Sequence, residues 1–296
     1  MERTQNDIMK KASFFFLAFI VSAALISVQT GKSQNSPKKL IKALKFGYSF
    51  VPSQTVEIKG ESHSVQSFFM LNTEVSNMHY KEYLSHLKNN VSEEVYQAAL
   101  PDFSRWELLD KSINFGEAYF NAPAFREYPV VNVSQEQALR YCEWLTTVLQ
   151  EKTADYTLRV RLPLRAEFLS ATNNSLTSPY AWKESSLTNK KGEQLCNYRE
   201  IPSSQLTRDG KTGGIVEVKN NEKVQHLTAP VKSYSPNEYG LYNLNGNVAE
   251  WIIEPNVAMG GDWTSLGYDV RNESEKLVEG AHPTVGFRVV ITYKGN

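Results

Sequence analysis

The alternation of apolar and polar positions changes character three times along the chain. A polar start, MERTQNDIMKK, ends in Lys10 and Lys11 and gives way to the charge-free, mostly apolar run FFFLAFIVSAALISV at 14–28; polar QTGKSQNSPKK follows. A charged start before ~15 apolar residues predicts a secretory signal peptide. A spanning helix needs ~20, so a retained anchor is the alternative and a buried core helix the third reading. The expected organisation is residues 1–30 as signal peptide or N-terminal anchor, 31–45 as polar linker and 46–296 as the folded domain. Either main reading sends the body out of the cytoplasm, to the periplasm or the outer membrane. No cysteine follows the run, so a lipoprotein is not expected.

Beyond the linker the pattern is that of a mixed fold. KFGYSFVPSQTVEI (45–58) alternates weakly around Pro52 and reads as two strands, and SVQSFFMLNTEVS (64–76) is strand-like. In SNMHYKEYLSHL (76–87), Tyr80, Tyr83, Leu84 and Leu87 recur at helical spacing behind Ser76, a plausible cap. VSQEQALRYCEWLTTVL (133–149) predicts the clearest helix, with Ser134 and Gln137 spaced as a capping box and Ala138, Tyr141, Cys142, Leu145 and Leu149 on one stripe. RVRLPLRAEFLSAT (159–172) reads as strand, proline, helix. From Asn173 to about residue 240 the pattern is irregular, and TRDGKTGG (207–214) is a turn.

Composition narrows the chemistry. Thirty-two basic residues balance 32 acidic ones, which gives no electrostatic reason to expect nucleic acid. Two cysteines and five scattered histidines are little material for a transition-metal site. Cys142 falls on the predicted core stripe and is expected to pack as a small apolar side chain; a disulfide to Cys196 and a chemical role are the alternatives.

Two stretches invite a functional reading. NEYGLYNLNGNVAEWI (237–252) is either an Asn245–Gly246 hairpin turn between strands or a hard-cation site. In the second case Asn243 offers an amide oxygen, Glu250 a carboxylate, and Gly246 and Val248 backbone carbonyls, a weakly charged oxygen set that suits calcium. MGGDWTSLGYDV (259–270) has paired glycines, an aromatic and hydroxyls, with no cluster of nucleophile, base and metal ligand.

An ordered series of eight motifs resembles the formylglycine-generating enzyme (sulfatase-modifying factor) domain family over about residues 46–293. They are FFMLNTEVSNMHYKEYL, YPVVNVSQEQALRYCEWL, RLPLRAEF, YAWK, CNY, APVKSYSPNEYGLYNLNGNVAEW, GGDW and VGFRVV. The resemblance implies an α+β, C-type-lectin-like fold with little regular secondary structure and calcium-ordered loops. It places the family's better-defined calcium site on Asn243, Gly246, Val248 and Glu250, and the start of a second on Asn197 and Tyr198, with Asp209 nearby. Active members carry two copper-binding cysteines after the paired glycines. Aligning on GGDW puts Ser265 and Val270 at those positions. Neither side chain offers the soft sulfur that Cu(I) wants, so the resemblance implies a scaffold without copper and without that oxidation. A related iron chemistry needs three histidines from an added helical domain; His63, His79, His86, His226 and His282 show no ligand spacing. A serine hydrolase on Ser265 and His282 lacks a strained nucleophile turn.

Three functions follow as expectations. The first is a structural or partner-binding component of the bacterial cell envelope. FGEAYFNAPAFREYPVVNVS, and Ala249 where a second tryptophan is usual, look most like the non-catalytic gliding-motility and type IX secretion lipoproteins of Bacteroidota. The second is a peptide- or glycan-binding module whose groove is walled by Asp262, Trp263, Tyr268 and Trp182, unless those aromatics are core. The third is an enzyme with unrecognised chemistry.

Overall fold

The computed structural model describes residues 40, 44, 47–109, 115–153, 156–172, 178–201, 206–210, 212, 214–217 and 227–295. The expected leader at 1–30 lies outside the described residues. Among the described ones, no helix is long and apolar enough to cross a membrane.

The weakly alternating start folds as β1 (Tyr48–Val51) and β2 (Gln54–Ile58), separated at Pro52; β3 (Glu61–Val65) and β4 (Phe68–Leu71) follow. Every residue of β4 is buried. It sits inside the four-stranded sheet β1-β4-β12-β5, where β5 is Tyr156–Arg161 and β12 is Val290–Gly295. Successive side chains of a strand point to opposite faces. Phe69 and Leu71 therefore join one core with Leu158, Val160 and Ile291, while Phe68 and Met70 join another with Val51 and Val290. A strand buried on both faces has to be apolar throughout, which is why FFML lacks alternation.

Two helices cover the first core. In α1 (Asn77–Asn90), the Ser76 hydroxyl accepts from the His79 N–H at 3.2 Å. After α2 (Glu93–Ala99) and the short α3 (Ala118–Asn121) comes α4 (Gln135–Lys152), which starts with the full reciprocal cap. The Gln137 N–H donates to Ser134 Oγ at 3.2 Å, and the Ser134 N–H donates to Gln137 Oε1 at 2.8 Å. The helices meet where Tyr80 stacks on Tyr141, with ring centres 5.8 Å apart. Cys142 lies in this core, and Cys196 in a small separate cluster; both are free thiols.

Leu40 and Leu44 correct the expected linker. Both are buried in the first core, and the Leu44 N–H donates to the Leu40 carbonyl at 2.8 Å. Leu40 and Leu44 thus belong to the domain; neighbouring lysines in the sequence disguise two leucines at helical spacing.

Helix α5 (Arg165–Ala171) explains part of the LPLRAE motif. Buried Glu167 accepts from the Leu164 N–H at 2.9 Å and binds Arg161 at 2.6 Å. Leu164 occupies the N-cap without a side-chain cap and is 44% exposed. Leu164→Ser should supply the missing acceptor at little packing cost. The expected gain is about 1 kcal/mol, read as a higher urea midpoint at unchanged slope.

Among the described residues of the irregular region is a hairpin, β6 (Leu206–Arg208) with β7 (Ile215–Glu217), around the expected turn. The second four-stranded sheet has the order β10-β9-β8-β11. Its strands are β8 (Ala249–Trp251), β9 (Val257–Met259), β10 (Glu275–Leu277) and β11 (Val285–Phe287). β8 runs parallel to β11 and antiparallel to β9.

Candidate functional site

Asn245–Gly246 does not turn a hairpin. No strand precedes it: residues 241–248 form a loop that enters β8. The loop instead aims its asparagines in alternate directions. Asn245 reaches one way, donating to the Val270 carbonyl at 2.9 Å and accepting from the Ala181 N–H at 2.8 Å. Asn243 and Asn247 reach the other way, and both donate to Glu74, at 3.2 and 2.7 Å. Asn243 (φ 51°) and Asn247 (φ 62°) hold left-handed backbone, which asparagine tolerates. Gly246 has φ 74°, and a Cβ there would collide with the Asn197 carbonyl.

Behind the loop is a buried charge cluster. Arg288 is 0% and Glu250 1% exposed. Arg288 Nε donates to Glu250 Oε2 at 3.0 Å and Nη2 donates to Oε1 at 2.7 Å. The rest of the guanidinium donates to the carbonyls of Leu71 (3.1 Å), Asn72 (2.9 Å) and Tyr242 (2.6 Å). Glu74 is also wholly buried. Burial pushes its carboxyl far above the ordinary range, to about 8, against the opposing pull of Arg288 and with Glu250 adding to the rise. Burial likewise raises Glu250, again opposed by Arg288. Two carboxyl groups thus share the neighbourhood of one guanidinium.

These residues fit a hard cation. The Asn243 amide oxygen is buried without a hydrogen-bond partner, the local acids exceed the local cation by one, and the donors are oxygens. Of the four expected ligands, Asn243 and Glu250 stand here by their side chains, while the Val248 side chain packs with Trp106, Tyr119 and Val131. Glu250 differs from the expectation in being held by Arg288. Glu74 is the residue that sequence reasoning misses; its signal is a lone acid between Thr73 and Val75 in a buried apolar stretch. Among the described residues, no three His, Cys, Asp or Glu side chains gather as a metal-binding group.

The residues of the second expected calcium site have other neighbours. Asn197 donates to the Leu227 carbonyl at 2.8 Å and to Asn247 Oδ1 at 3.2 Å, which ties it to the first site. Tyr198 packs with Tyr180, Cys196 and Val270. Asp209 lies beyond β6 and accepts from Thr212 Oγ1 at 2.7 Å.

The stretch 259–270 folds back on itself. Gly261 has φ 71°, and a Cβ there would strike the Asp269 carbonyl and Val270. Ser265 Oγ accepts from the Asp262 N–H at 3.1 Å, and the Ser265 N–H donates to the Asp262 carbonyl at 2.9 Å. Val270 is fully buried, in the same cluster as Cys196. That single thiol is pushed up to about 12 by burial, so it stays protonated at neutral pH. His282 does not pair with Ser265. Its Nδ1 lies 3.0 Å from Thr284 Oγ1, which accepts from Lys276 Nζ at 2.6 Å, and Lys276 binds Asp262 at 2.7 Å. Burial, then Lys276, lowers His282 to about 4.

The expected groove wall needs correction. Trp263 is 1% exposed and Asp262 is fully buried; the glycine pair turns both inward. Trp182 stacks on Tyr180, with ring centres 4.8 Å apart. Tyr268, 71% exposed, does line a cleft of about 470 Å³, with Ser265, Asp269, Arg271, Glu273 and Lys276 among its other residues.

Residues 23–293 match the family described as sulfatase-modifying factor enzyme 1-like domain. The chain is 30% identical over 162 residues to a formylglycine-generating enzyme of Thermomonospora curvata, a match that covers 54% of this chain and 41% of that protein. It is 32% identical over 145 residues to the enzyme of that name from Streptomyces coelicolor, covering 48% and 34%. The matches thus span less than half the length of these relatives. Among solved structures, PvdO from Pseudomonas aeruginosa aligns at TM-score 0.52 and 16% identity over 82% of this chain and 93% of PvdO. CarF aligns at 0.51 and 16% over 82% and 97%. At such identity these two report the fold, consistent with the α+β layout above.

Proposed function

Since the chain belongs to the sulfatase-modifying factor enzyme 1-like domain family, we propose that it is a non-catalytic member that binds a protein partner in the bacterial cell envelope. One observation carries the first half: Ser265 and Val270 stand where the resemblance expects paired cysteines, and the one thiol nearby, buried Cys196, packs with Val270. Cu(I) held between two thiolates has no equivalent there. The second half rests on the apolar run at 14–28, read as an export signal or anchor, and on the likeness to gliding-motility and type IX secretion lipoproteins. In this reading calcium orders the loop 243–250, held by Glu74, Glu250 and the Asn243 amide oxygen, and copper has no role. A second reading, a peptide- or glycan-binding module, is favoured by the cleft beside Ser265.

The test has two arms. Purified protein given copper, oxygen and a cysteine-containing sulfatase peptide should form no aldehyde by mass spectrometry, and the tagged protein should retain a stoichiometric partner from envelope extracts. Aldehyde formation sinks the non-catalytic reading; a clean pull-down without any partner sinks the binding one.

A further inference from the structure

β10 ends the second sheet, and among the described residues nothing pairs with its outer edge. On its inner side, the Gly260 N–H donates to the Ser274 carbonyl at 3.2 Å and the Val278 N–H donates to the Asn256 carbonyl at 2.9 Å. The backbone groups of successive strand residues alternate in direction. Ser274, Lys276 and Val278 therefore face β9, and the N–H and C=O groups of Glu275 and Leu277 face outward. Proteins usually guard such an edge with charge, proline or a covering segment. Here the lysine is withdrawn, since Lys276 Nζ binds Asp262 and Thr284 inside. Leu277 stands at the edge 80% exposed.

The cleft runs beside this edge, and its charges do not cancel. Arg165 is committed to Glu275 and lies 3.9 Å from Glu254. Arg271 lies over the Tyr268 ring at 3.5 Å and donates to the Tyr268 carbonyl at 3.1 Å. Lys276 is held by Asp262. Two lining carboxylates, Asp269 and Glu273, have no ion-pair partner among the described residues.

We propose that the outer edge of β10 and this cleft accept an extended, lysine- or arginine-rich segment of a partner protein, added to the sheet as a further strand. The segment's backbone pairs with Glu275 and Leu277, its cations lie against Asp269 and Glu273, and an apolar side chain covers Leu277. Main-chain bonds supply affinity in such additions, and side chains supply selectivity. This locates the partner contact and rests on the partner-binding reading.

Fluorescence anisotropy with short labelled peptides tests it on the full chain. A peptide alternating valine and lysine should bind, more weakly as salt rises. Its glutamate counterpart, and a lysine version N-methylated at alternate residues, should each bind about tenfold more weakly or worse. Asp269→Asn with Glu273→Gln should cost about tenfold and flatten the salt dependence. Leu277→Pro removes the outward N–H together with the exposed leucine side chain and should abolish binding. Absence of binding by the lysine peptide, equal binding of the N-methylated one, or indifference to charge overturns the proposal. If Leu277→Pro does not fold, the N-methyl comparison on unaltered protein decides. An envelope partner held equally by wild type and by folded Leu277→Pro overturns this site while leaving the partner-binding reading intact. Strand addition by the lysine peptide with no envelope partner does the reverse.

Discussion

Arg288→Met should destabilise the protein by about 3–5 kcal/mol, the usual loss when one member of a buried ion pair is removed. The change leaves Glu250 and Glu74 together in a closed interior without a counter-charge, and it strips donors from the carbonyls of Leu71, Asn72 and Tyr242. A typical domain has only about 5–15 kcal/mol in total, so the variant should sit near the edge of folding. Arg288→Lys should recover part of the loss, because an ammonium restores charge without the planar fork that holds both Glu250 oxygens. Glu250→Met combined with Arg288→Met should be less damaging than the two single losses summed, since no unpaired Glu250 remains. Urea titration reads all of these. A loss under about 1 kcal/mol for Arg288→Met would mean that the cluster relaxes freely and that its bonds contribute little.

Glu74→Gln should change how stability depends on pH. In the folded chain, burial raises this carboxyl from 4.5 to about 8. The folded state then keeps a proton that the unfolded state releases near its ordinary value. The stabilisation is fully present below about pH 4.5 and is lost as pH climbs through about 8. With chelator present, the wild-type melting temperature should therefore fall from acid to mildly alkaline pH, and the Glu74→Gln variant should lack that component of the slope. Calcium bound at the loop would offset the ionised carboxylate. Adding it should raise the wild-type melting temperature most at the alkaline end, and much less in the variant. Parallel pH profiles for the two proteins would show that Glu74 does not titrate between the folded and unfolded states.

The elements that sequence reveals most readily are those whose signal is local. Ser134 and Gln137 set the start of α4 within four residues of each other, and Ser76 does the same for α1. β4 is readable as a strand because a run of FFML has only a doubly buried position to occupy. The loop 241–248 is harder. Asn245–Gly246 has the local grammar of a hairpin, yet the loop's asparagines bond to Glu74, Ala181 and Val270, all distant in sequence. Glu74 and Arg288 are each a lone charge in an apolar stretch, and only their meeting through Glu250 and the asparagines gives them a shared role. Trp263 looks like a wall residue in the sequence, because exposure beside paired glycines depends on which way the chain turns. Gly261, wedged against Asp269 and Val270, turns it inward.

The two thiols carry a practical consequence. Cys142 and Cys196 belong to different packed clusters, and neither is bonded to the other. Burial keeps both from ionising readily, so alkylating reagents and mild oxidants should react with them only when the chain opens. The native state needs no oxidant to form and no reductant to persist. Material made in a reducing host should be interchangeable with material from an oxidising one, and thiol labelling offers a built-in clock for unfolding.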